Sequence, residues 1–497
     1  MADEQNHFSG QITVAARIID LLSSGLYESP ASCLKELVNN AFDADARHIQ
    51  ILVKPDANRI IIQDDGRGMN RVEFERHFRR IAESHKRDDS ERTQFGRPKI
   101  GKIGIGVVAA NELCEKLEIF STKKGSRELL HVTIDFEEMK KAPEDRKTKT
   151  GDFVKADYYG EVLTTDKKAH FTRLFLTNVK GQAKEILVGQ EAAKSGAVAL
   201  TLYGKSVETI ERLLRDHQIN TWSDFDFYSK TIMEVALNVP VKYFRHWLPA
   251  RLKRSVAQFE KQTAKLGFEV TYDGIELRKP IVFSGSDESF VQAFSFSGNS
   301  VSAHGYFYAQ HGSVKPLELH GLLVRIRNAA VGDYDPSFWG FSASEYSLIQ
   351  RWVSCEIWAD DRLEDAMNID RRTLRVTHPA YVELRDALHN ELRSIFSKTR
   401  TDIYEVHSAK RKGLRANKSK NEVVAVVHDP EANLDAQTQR ALATSWSQSD
   451  KSTKRALAKR YTIADILKVI IEVASETLNQ NDRAAFLKRL SNRLRRG

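Results

Sequence analysis

Three short segments of the chain carry side chains whose types and spacing allow chemistry. In the first, ELVNNAFDADA, residues Glu36, Asn40 and Asp43 are four and three positions apart, so on a helix they project from one face. A carboxylate there can orient and deprotonate a water molecule, and an amide oxygen one turn away is a hard donor of the kind Mg²⁺ prefers. Taken alone, this pattern is more often a polar helix face with a capped end.

The second segment, DDGRGM at 64–69, directly follows the strand-like run RIIIQ. Asp64 at a strand end can accept a hydrogen bond from an adenine amino group, while Gly66 and Gly68 let the backbone pass close to the ring. Met69 can cover the base as a polarizable apolar wall. The same residues also favour a plain tight turn, so this segment is weak by itself.

The third segment, GKIGIGV at 101–107, places Gly101, Gly104 and Gly106 in a loop that runs into a helix. Exposed amides at a helix N-terminus suit a polyphosphate, and Lys86 and Lys102 lie near in sequence. The spacing is GxxGxG without a strand immediately before it, and no Walker loop occurs. Dinucleotide-binding and P-loop folds are therefore disfavoured.

The surrounding pattern predicts the helices and strands that must position these segments. Ser29-Pro30 predicts the start of the helix that carries the first segment, and HIQILV and RIIIQ around the turn residues PDAN predict a hairpin that ends at the second. Helix and strand patterns then alternate. We predict an α+β protein with an α/β sandwich at 1–210, an α/β domain at 225–398, a basic linker at 399–430 and a helical region at 431–497.

Composition restricts the class of protein. Hydrophobic residues make up 41% and charged residues 29% of the 497 positions, as in globular proteins with buried cores. There is no run of about 18 apolar residues and no signal-peptide pattern, so we expect no membrane association and a cytoplasmic location. The cysteines Cys33, Cys114 and Cys355 are widely spaced and lack a CxxC pair, which argues against disulfides and zinc sites.

The net charge of +9 lies entirely in the last fifth of the chain. Residues 400–497 contain 20 Lys and Arg against 11 Asp and Glu, whereas residues 1–399 contain 56 of each sign. A basic end on a neutral body can bind nucleic acid, an anionic surface or an acidic partner protein. It is equally consistent with a solvated helical surface and a flexible basic linker.

In order and spacing, the three segments resemble the ATPase superfamily of gyrase B, heat-shock chaperones, histidine kinases and MutL. The resemblance implies a Bergerat-type α/β sandwich that binds ATP between helices and sheet, under a lid formed by residues 84–100. It implies Glu36 as the general base for water, Asn40 as the Mg²⁺ ligand and Asp64 as the carboxylate that reads adenine. The other nucleotide-binding residues that it implies are Asp43, Gly66, Gly68, Met69, Ser84, Lys86, Gly101, Lys102, Ile103, Gly104, Ile105, Gly106, Val107 and Thr172.

A finer resemblance is to the ninety-kilodalton heat-shock chaperone, in its N-terminal layout and over residues 315–395. In that chaperone a middle-domain arginine reaches the γ-phosphate, and here Arg371, or its neighbour Arg372, takes that place. Arg371 is equally consistent with a surface salt bridge to Asp370 or Glu364. At Thr172 the chain also departs from the superfamily, because phenylalanine precedes the threonine where glycine is usual.

Three functions are consistent with these resemblances. The first is a Mg²⁺-dependent, chaperone-like ATPase that closes as a homodimeric clamp on a protein client or effector, with residues 1–27 exchanged between protomers. A loose analogy extends this function to bacterial defence. The second is a MutL- or MORC-like clamp whose basic segments 408–420 and 451–460 contact DNA or RNA phosphates. The third is a scaffold that binds ATP without hydrolysing it.

Overall fold

The computed structural model shows a chain that divides into two compact units, Met1–Thr399 and Arg400–Gly497. The residues that it describes are 7–10, 29–78, 92–101, 106–141, 158–188, 199–216, 218–244, 261, 263, 265–280, 288–342, 344–368, 371–414, 436 and 463–496. Within those ranges, none of the helices is both long and apolar enough to cross a bilayer.

A nine-stranded sheet organises the first part of the larger unit, with strand order β1-β6-β5-β4-β7-β3-β2-β8-β9 among the described residues. Its strands alternate between buried apolar and more exposed side chains, as Ile60 and Ile62 show in β3. The strands are β1 His7–Gly10, β2 His48–Lys54, β3 Arg59–Asp64, β4 Cys114–Thr122, β5 Glu128–Asp135, β6 Tyr158–Thr164, β7 Phe171–Val179, β8 Glu269–Tyr272 and β9 Ile275–Glu276.

Helices connect these strands and share their core. The first, α1, begins where the sequence predicts it, because Pro30 occupies its first turn and the Ser29 hydroxyl accepts a hydrogen bond from the Ser32 amide at 3.3 Å. Its apolar side, including Leu34 and Phe42, is completely buried. The helices are α1 Pro30–Asp43, α2 Arg71–Phe78, α3 Gly106–Leu113, α4 Phe136–Lys140, α5 Gly181–Val188, α6 Val207–Arg215 and α7 Phe227–Asn238.

A second sheet of five strands follows, in the order β10-β11-β14-β12-β13. Its central strands β12 and β14 run parallel, whereas its other pairs are antiparallel. The strands are β10 Ser289–Ser297, β11 Ser302–Gln310, β12 Gly321–Ile326, β13 Ala329–Asp335 and β14 Val353–Ala359, and the long helix α8 is Pro379–Lys398.

The two sheets share one hydrophobic core within the larger unit. Helix α7 contacts both α1 and β13, and a single buried cluster extends from α1 to Leu323 and Tyr334 of the second sheet. Strands β8 and β9 belong to the predicted second domain by position, yet β8 pairs in parallel with β2 of the first sheet. Such long-range pairing depends on contacts between residues about 220 positions apart, which no local pattern reveals.

The smaller unit is helical in its described residues. Residues 406–414, part of the predicted basic linker, are helical, which agrees with the good helix propensity of lysine and arginine. Farther along, α9 is Ile463–Thr477 and α10 is Gln480–Arg496. On α9, Leu467, Ile471 and Ala474 are buried at helical spacing. The predicted α+β fold class with a helical C-terminal region is confirmed.

A buried ion pair lies at the centre of the second sheet. Arg325 on β12 and Glu356 on β14 are completely or almost completely buried, and their side chains meet at 2.8 Å. Tyr243 and Tyr334 also donate hydrogen bonds to the Glu356 carboxylate. Burial raises the pKa of Glu356, but Arg325 and these hydrogen bonds outweigh it and hold that pKa below its ordinary value.

We expect Arg325→Met to lower the free energy of unfolding by about 3–5 kcal/mol, because it removes the cation that is bonded to the buried Glu356 carboxylate. Urea unfolding followed by tryptophan fluorescence measures the change. Arg385→Met is the control, since Arg385 forms a more exposed pair with its neighbour Asp386 and should matter by less than about 1 kcal/mol. Equal effects of the two variants would contradict the structural importance of the buried pair.

Candidate functional site

The Asp64 carboxylate lies at the end of β3 and is 7% exposed. Its Oδ1 accepts a hydrogen bond from the Gly66 amide at 2.8 Å. Burial raises the pKa of Asp64 from 3.8 to about 7, because the Gly66 bond offsets only part of the desolvation. A buried carboxylate of this kind gains from an additional hydrogen-bond donor, and the amino group of adenine is one.

Across the sheet, Asp64 is paired in register with Thr172 on β7, and Thr172 is paired with Ser121 on β4. The hydroxyls of Thr172 and Ser121 lie 3.0 Å apart, and the Met69 amide donates to the Ser121 hydroxyl at 2.9 Å. The structure therefore brings Asp64, Met69 and Thr172 to one end of three adjacent strands. Ser121 joins them although the sequence analysis did not select it.

The turn after β3 is closely packed at its two glycines. Gly68 has a φ of +66°, and a Cβ there would lie 2.1 Å from the Thr122 carbonyl oxygen. A Cβ at Gly66 would lie 2.8 Å from the Ala44 carbonyl oxygen and from the Asp64 carboxylate. These positions therefore have no room for a side chain, and the turn is held against the end of α1.

Helix α1 carries the predicted catalytic face. Glu36 is 9% exposed and Asn40 is half-buried. One turn farther on, the Asp43 carboxylate accepts hydrogen bonds from the Ile100 amide at 2.6 Å and the Gly101 amide at 2.7 Å. Asp43 therefore contacts the backbone where the glycine-rich loop begins, a contact that the resemblance did not specify.

Asp45 and Arg97 are among the residues that hold the described part of the predicted lid, residues 92–100. The Asp45 carboxylate accepts a hydrogen bond from the Gln94 amide at 2.8 Å. Arg97 donates to the Gly267 carbonyl at 3.0 Å, and its guanidinium lies over the Phe42 ring at 5.0 Å. The beginning of the predicted lid, with Ser84 and Lys86, lies outside the described residues.

The glycine-rich loop is described only at its two ends. Gly101 follows the segment held by Asp43, and α3 begins at Gly106 and continues through Val107. The predicted phosphate-binding residues between these ends lie outside the described residues, and they are Lys102, Ile103, Gly104 and Ile105.

Two arginines, one beside the second sheet and one in the loop after it, contact the backbone just before the glycine-rich loop. Arg371 donates a hydrogen bond to the Ile100 carbonyl, and Arg327 donates one to the Lys99 carbonyl. Arg372 instead pairs with Asp333 at 2.8 Å. Of the two neighbouring arginines that the sequence left open, Arg371 is therefore the one beside the glycine-rich loop.

Lys35 precedes Glu36 on α1 and is also buried. Its ammonium group donates to the Ala330 carbonyl of β13 at 3.3 Å. Burial lowers the pKa of Lys35 to about 8, although the neighbouring Glu36 opposes this effect. Lys35 lines a cavity of about 170 Å³ together with Ser32, Asp333 and Arg372, among others.

Sequence reasoning missed Ser121, Lys35 and Arg327. Ser121 ends a strand-like run, and Lys35 directly precedes the predicted base, so both could have been examined by position. No sequence pattern near Arg327 indicates its importance, because its contact with the Lys99 carbonyl joins residues more than 200 positions apart.

In this α/β sandwich a carboxylate-bearing helix meets a glycine-rich turn at a strand end, as expected for the ATPase superfamily that the sequence resembles. Residues 27–162 match the family described as histidine kinase-, DNA gyrase B- and HSP90-like ATPases. Residues 27–162 are therefore similar to that family, and the sequence-based recognition of the superfamily is confirmed.

Similar regions occur in proteins with different names. The chain is 36% identical over 115 residues to a putative type II restriction enzyme, HgiDII, of Herpetosiphon aurantiacus, covering 23% of this chain and 18% of the relative. It is 31% identical over 149 residues to the chaperone protein HtpG of Gluconobacter oxydans, covering 26% and 23%. It is 34% identical over 123 residues to the DNA mismatch repair protein MutL of Bacteroides fragilis, covering 20% of each. These similarities span less than a quarter of each relative.

Replacing Asp64 by asparagine should stabilise the nucleotide-free protein in a pH-dependent way. Because the pKa of Asp64 is raised from 3.8 to about 7, the folded protein retains a proton that the unfolded chain releases, and stability falls as pH rises through this interval. Urea unfolding should show Asp64→Asn more stable than wild type by up to about 4 kcal/mol at pH 8, and nearly equal to it at pH 4.

The same variant should weaken ATP binding at least tenfold in calorimetry, which is about 1.4 kcal/mol. Asparagine has one acceptor oxygen, which the Gly66 amide takes, so that an NH₂ donor would face the adenine amino group. Asp216→Asn, at an exposed carboxylate paired with Arg215, is the control and should change neither property. Unchanged ATP affinity in Asp64→Asn would remove Asp64 from the adenine site.

Proposed function

We propose that the chain hydrolyses ATP with Mg²⁺ and uses the reaction to operate a dimeric, chaperone-like clamp on a protein client or effector. The observation that carries the proposal is the arrangement on α1, where Glu36 lies two turns before Asp43 and Asp43 holds the start of the glycine-rich loop. A base for water and a phosphate-binding backbone are thus brought together by one helix.

The residues present fit the nucleotide and the ion. Asp64 supplies a desolvated acceptor for the adenine amino group, and the glycines at 66 and 68 let the turn beside it pack closely against α1 and β4. Asn40, one turn after Glu36, offers an amide oxygen to Mg²⁺, which would neutralise charge on the phosphate oxygens when bound. Thr172 lies beside Asp64 on the neighbouring strand β7.

Glu36 is the general base in this proposal. As a carboxylate it can accept a proton from a water aligned with the terminal phosphate. Arg371, at the Ile100 carbonyl, is within reach of the glycine-rich loop and supplies a guanidinium for the charge that develops during transfer. Of the residues assigned here, Ser84, Lys86 and Lys102 complete the phosphate contacts by resemblance alone.

Clamp closure would follow from nucleotide binding. A γ-phosphate that contacts both the glycine-rich loop and Arg371 binds one arrangement of the two sheets better than another, and this difference shifts the equilibrium between them. The HtpG and MutL similarities support a homodimer as the closing unit.

The Glu36→Gln variant should lose hydrolysis and keep nucleotide binding. Removing a general base lowers the rate by about 10²–10⁴ fold, whereas the similar shape of glutamine should leave ATP affinity within about threefold. Phosphate release measures the rate, and calorimetry measures the affinity. Glu185→Gln, at an exposed glutamate of α5, is the matched control.

With ATP, the Glu36→Gln variant should also accumulate as a dimer in light scattering. Wild-type protein without measurable hydrolysis, together with a silent Glu36→Gln, would favour an ATP-binding scaffold instead. A monomer under all nucleotide conditions would contradict the clamp.

A second candidate, a clamp associated with nucleic acid, is favoured by the basic C-terminal unit and by two relatives whose names refer to DNA repair and restriction. In the described helix 406–414, Lys410, Arg411 and Lys412 are exposed. Exposed cations of this kind can contact phosphates without reading the base sequence.

This candidate predicts salt-sensitive binding to a 30-base-pair DNA duplex. Each phosphate contact steepens the fall of log K with log salt concentration by about 0.9, so changing Lys410, Arg411 and Lys412 to Glu should make the slope shallower by about 1–2. Changing the exposed Lys124, Lys167 and Lys168 to Glu is the charge-matched control. No salt-sensitive binding to duplex DNA or single-stranded RNA would exclude the candidate.

A further inference from the structure

Arg327 occupies the two-residue turn between β12 and β13. Arg327 and Asn328 have φ values of +53° and +68°, the left-handed conformation that tight hairpins need at both central positions. Arginine is an unusual residue for this conformation, since asparagine and glycine adopt it with less strain. The Arg327 side chain is nevertheless buried, with 7% of the residue exposed.

One guanidinium at this turn contacts two separate parts of the molecule. Nε of Arg327 donates to the Asp361 carboxylate at 2.7 Å, and Nη2 lies 3.3 Å from the Glu364 carboxylate. Nη1 donates to the Lys99 carbonyl. Arg327 therefore joins the 3₁₀ helix Asp361–Ala366 to the backbone just before the glycine-rich loop.

The same 3₁₀ helix leads into the segment that carries Arg371. The Arg375 amide donates to the Ala366 carbonyl at 2.7 Å, and the Arg371 amide donates to the Asn368 carbonyl at 3.0 Å. This backbone bonding holds residues 371–375 close to the residues that Arg327 binds. Arg371 in turn contacts the Ile100 carbonyl, one residue after the carbonyl that Arg327 contacts.

The backbone at 99–101 is thus held from both sides. The two arginines bind the carbonyls of Lys99 and Ile100, and the Asp43 carboxylate of α1 binds the amides of Ile100 and Gly101. These consecutive peptide groups connect the helix that carries Glu36 to the segment that carries Arg371.

We propose that Arg327 is a positioning residue for ATP hydrolysis: it holds the start of the glycine-rich loop and residues 371–375 in a fixed relative position. This inference rests on the proposed function. Arg327 acts through Lys99 and through the 3₁₀ helix Asp361–Ala366, to which it is bonded.

The geometry requires a guanidinium rather than a simple positive charge. Arg327 uses separate nitrogens for the carboxylates and for the Lys99 carbonyl, and these nitrogens are fixed in one plane. A lysine keeps the charge beside Asp361 and Glu364 but, as a single ammonium on a flexible chain, cannot hold all three partners in the same directions. Arg327→Lys therefore removes the link while preserving the ion pair.

The test uses full-length protein with Arg327→Lys, and Arg362→Lys as the matched control. Arg362 also bonds a carboxylate, that of Asp360, and a backbone carbonyl, that of Asn299 at 2.8 Å, and neither partner belongs to residues 99–101. Without nucleotide, we expect hydrogen exchange at the Ile100 and Gly101 amides to accelerate about tenfold in Arg327→Lys, with β3 amides unchanged.

Over a series of Mg²⁺-ATP concentrations, kcat should fall about tenfold while KM stays within about threefold, since alignment is lost and ATP contacts remain. Arg362→Lys should change neither readout. Asp361→Asn, at the more exposed of the two carboxylates, should shift both readouts in the same direction by a smaller factor, and it serves if Arg327→Lys fails to fold by circular dichroism.

Unchanged exchange at Ile100 and Gly101 in Arg327→Lys, or faster exchange with unchanged kcat, would overturn the proposal. Equal effects of Arg327→Lys and Arg362→Lys would overturn it too, because they would indicate general destabilisation. If the wild-type protein does not hydrolyse ATP, the proposed function fails, and the exchange measurement alone then shows whether the link to residues 99–101 exists.

Discussion

The hydrogen bonds from the Ile100 and Gly101 amides to the Asp43 carboxylate are the interaction on which the rest of the site depends. A carboxylate that accepts two backbone bonds fixes both its own rotamer and the chain that it holds. Because Asp43 and Glu36 share α1, the position of the glycine-rich loop follows from the position of that helix. The helix in turn is fixed by its buried side, which includes Leu34 and Phe42.

Much of this arrangement could be predicted from local pattern. The capped start of α1, the hairpin of β2 and β3, and the glycine turn after Asp64 all follow from residues within a few positions of one another. The family assignment followed from the order of three such patterns, each weak alone. Local chemistry is therefore sufficient where the structure is determined by neighbours in sequence.

What could not be predicted depends on contacts between distant residues. The pairing of β8 with β2, the alignment of Thr172 with both Asp64 and Ser121, and the bond from Arg327 to Lys99 each join segments at least 50 residues apart. Asp43 illustrates the difference most clearly. Its spacing indicated a polar helix face, but only the fold shows that this carboxylate binds backbone.

The two buried carboxylates Glu356 and Asp64 differ in how well hydrogen bonds and cations compensate their burial. Glu356 is surrounded by Arg325, Tyr243 and Tyr334, so its ionised form is stabilised where it lies. Asp64 has only partial compensation for burial, and its raised pKa shows that the folded protein without nucleotide disfavours its charged form. A buried carboxylate with too few hydrogen-bond donors destabilises a structural core. In a binding site it favours the ligand, because the ligand then donates the missing hydrogen bond. The buried pair at the centre of the second sheet therefore stabilises the fold. The Asp64 carboxylate at the end of β3 can instead accept a further hydrogen bond from a ligand.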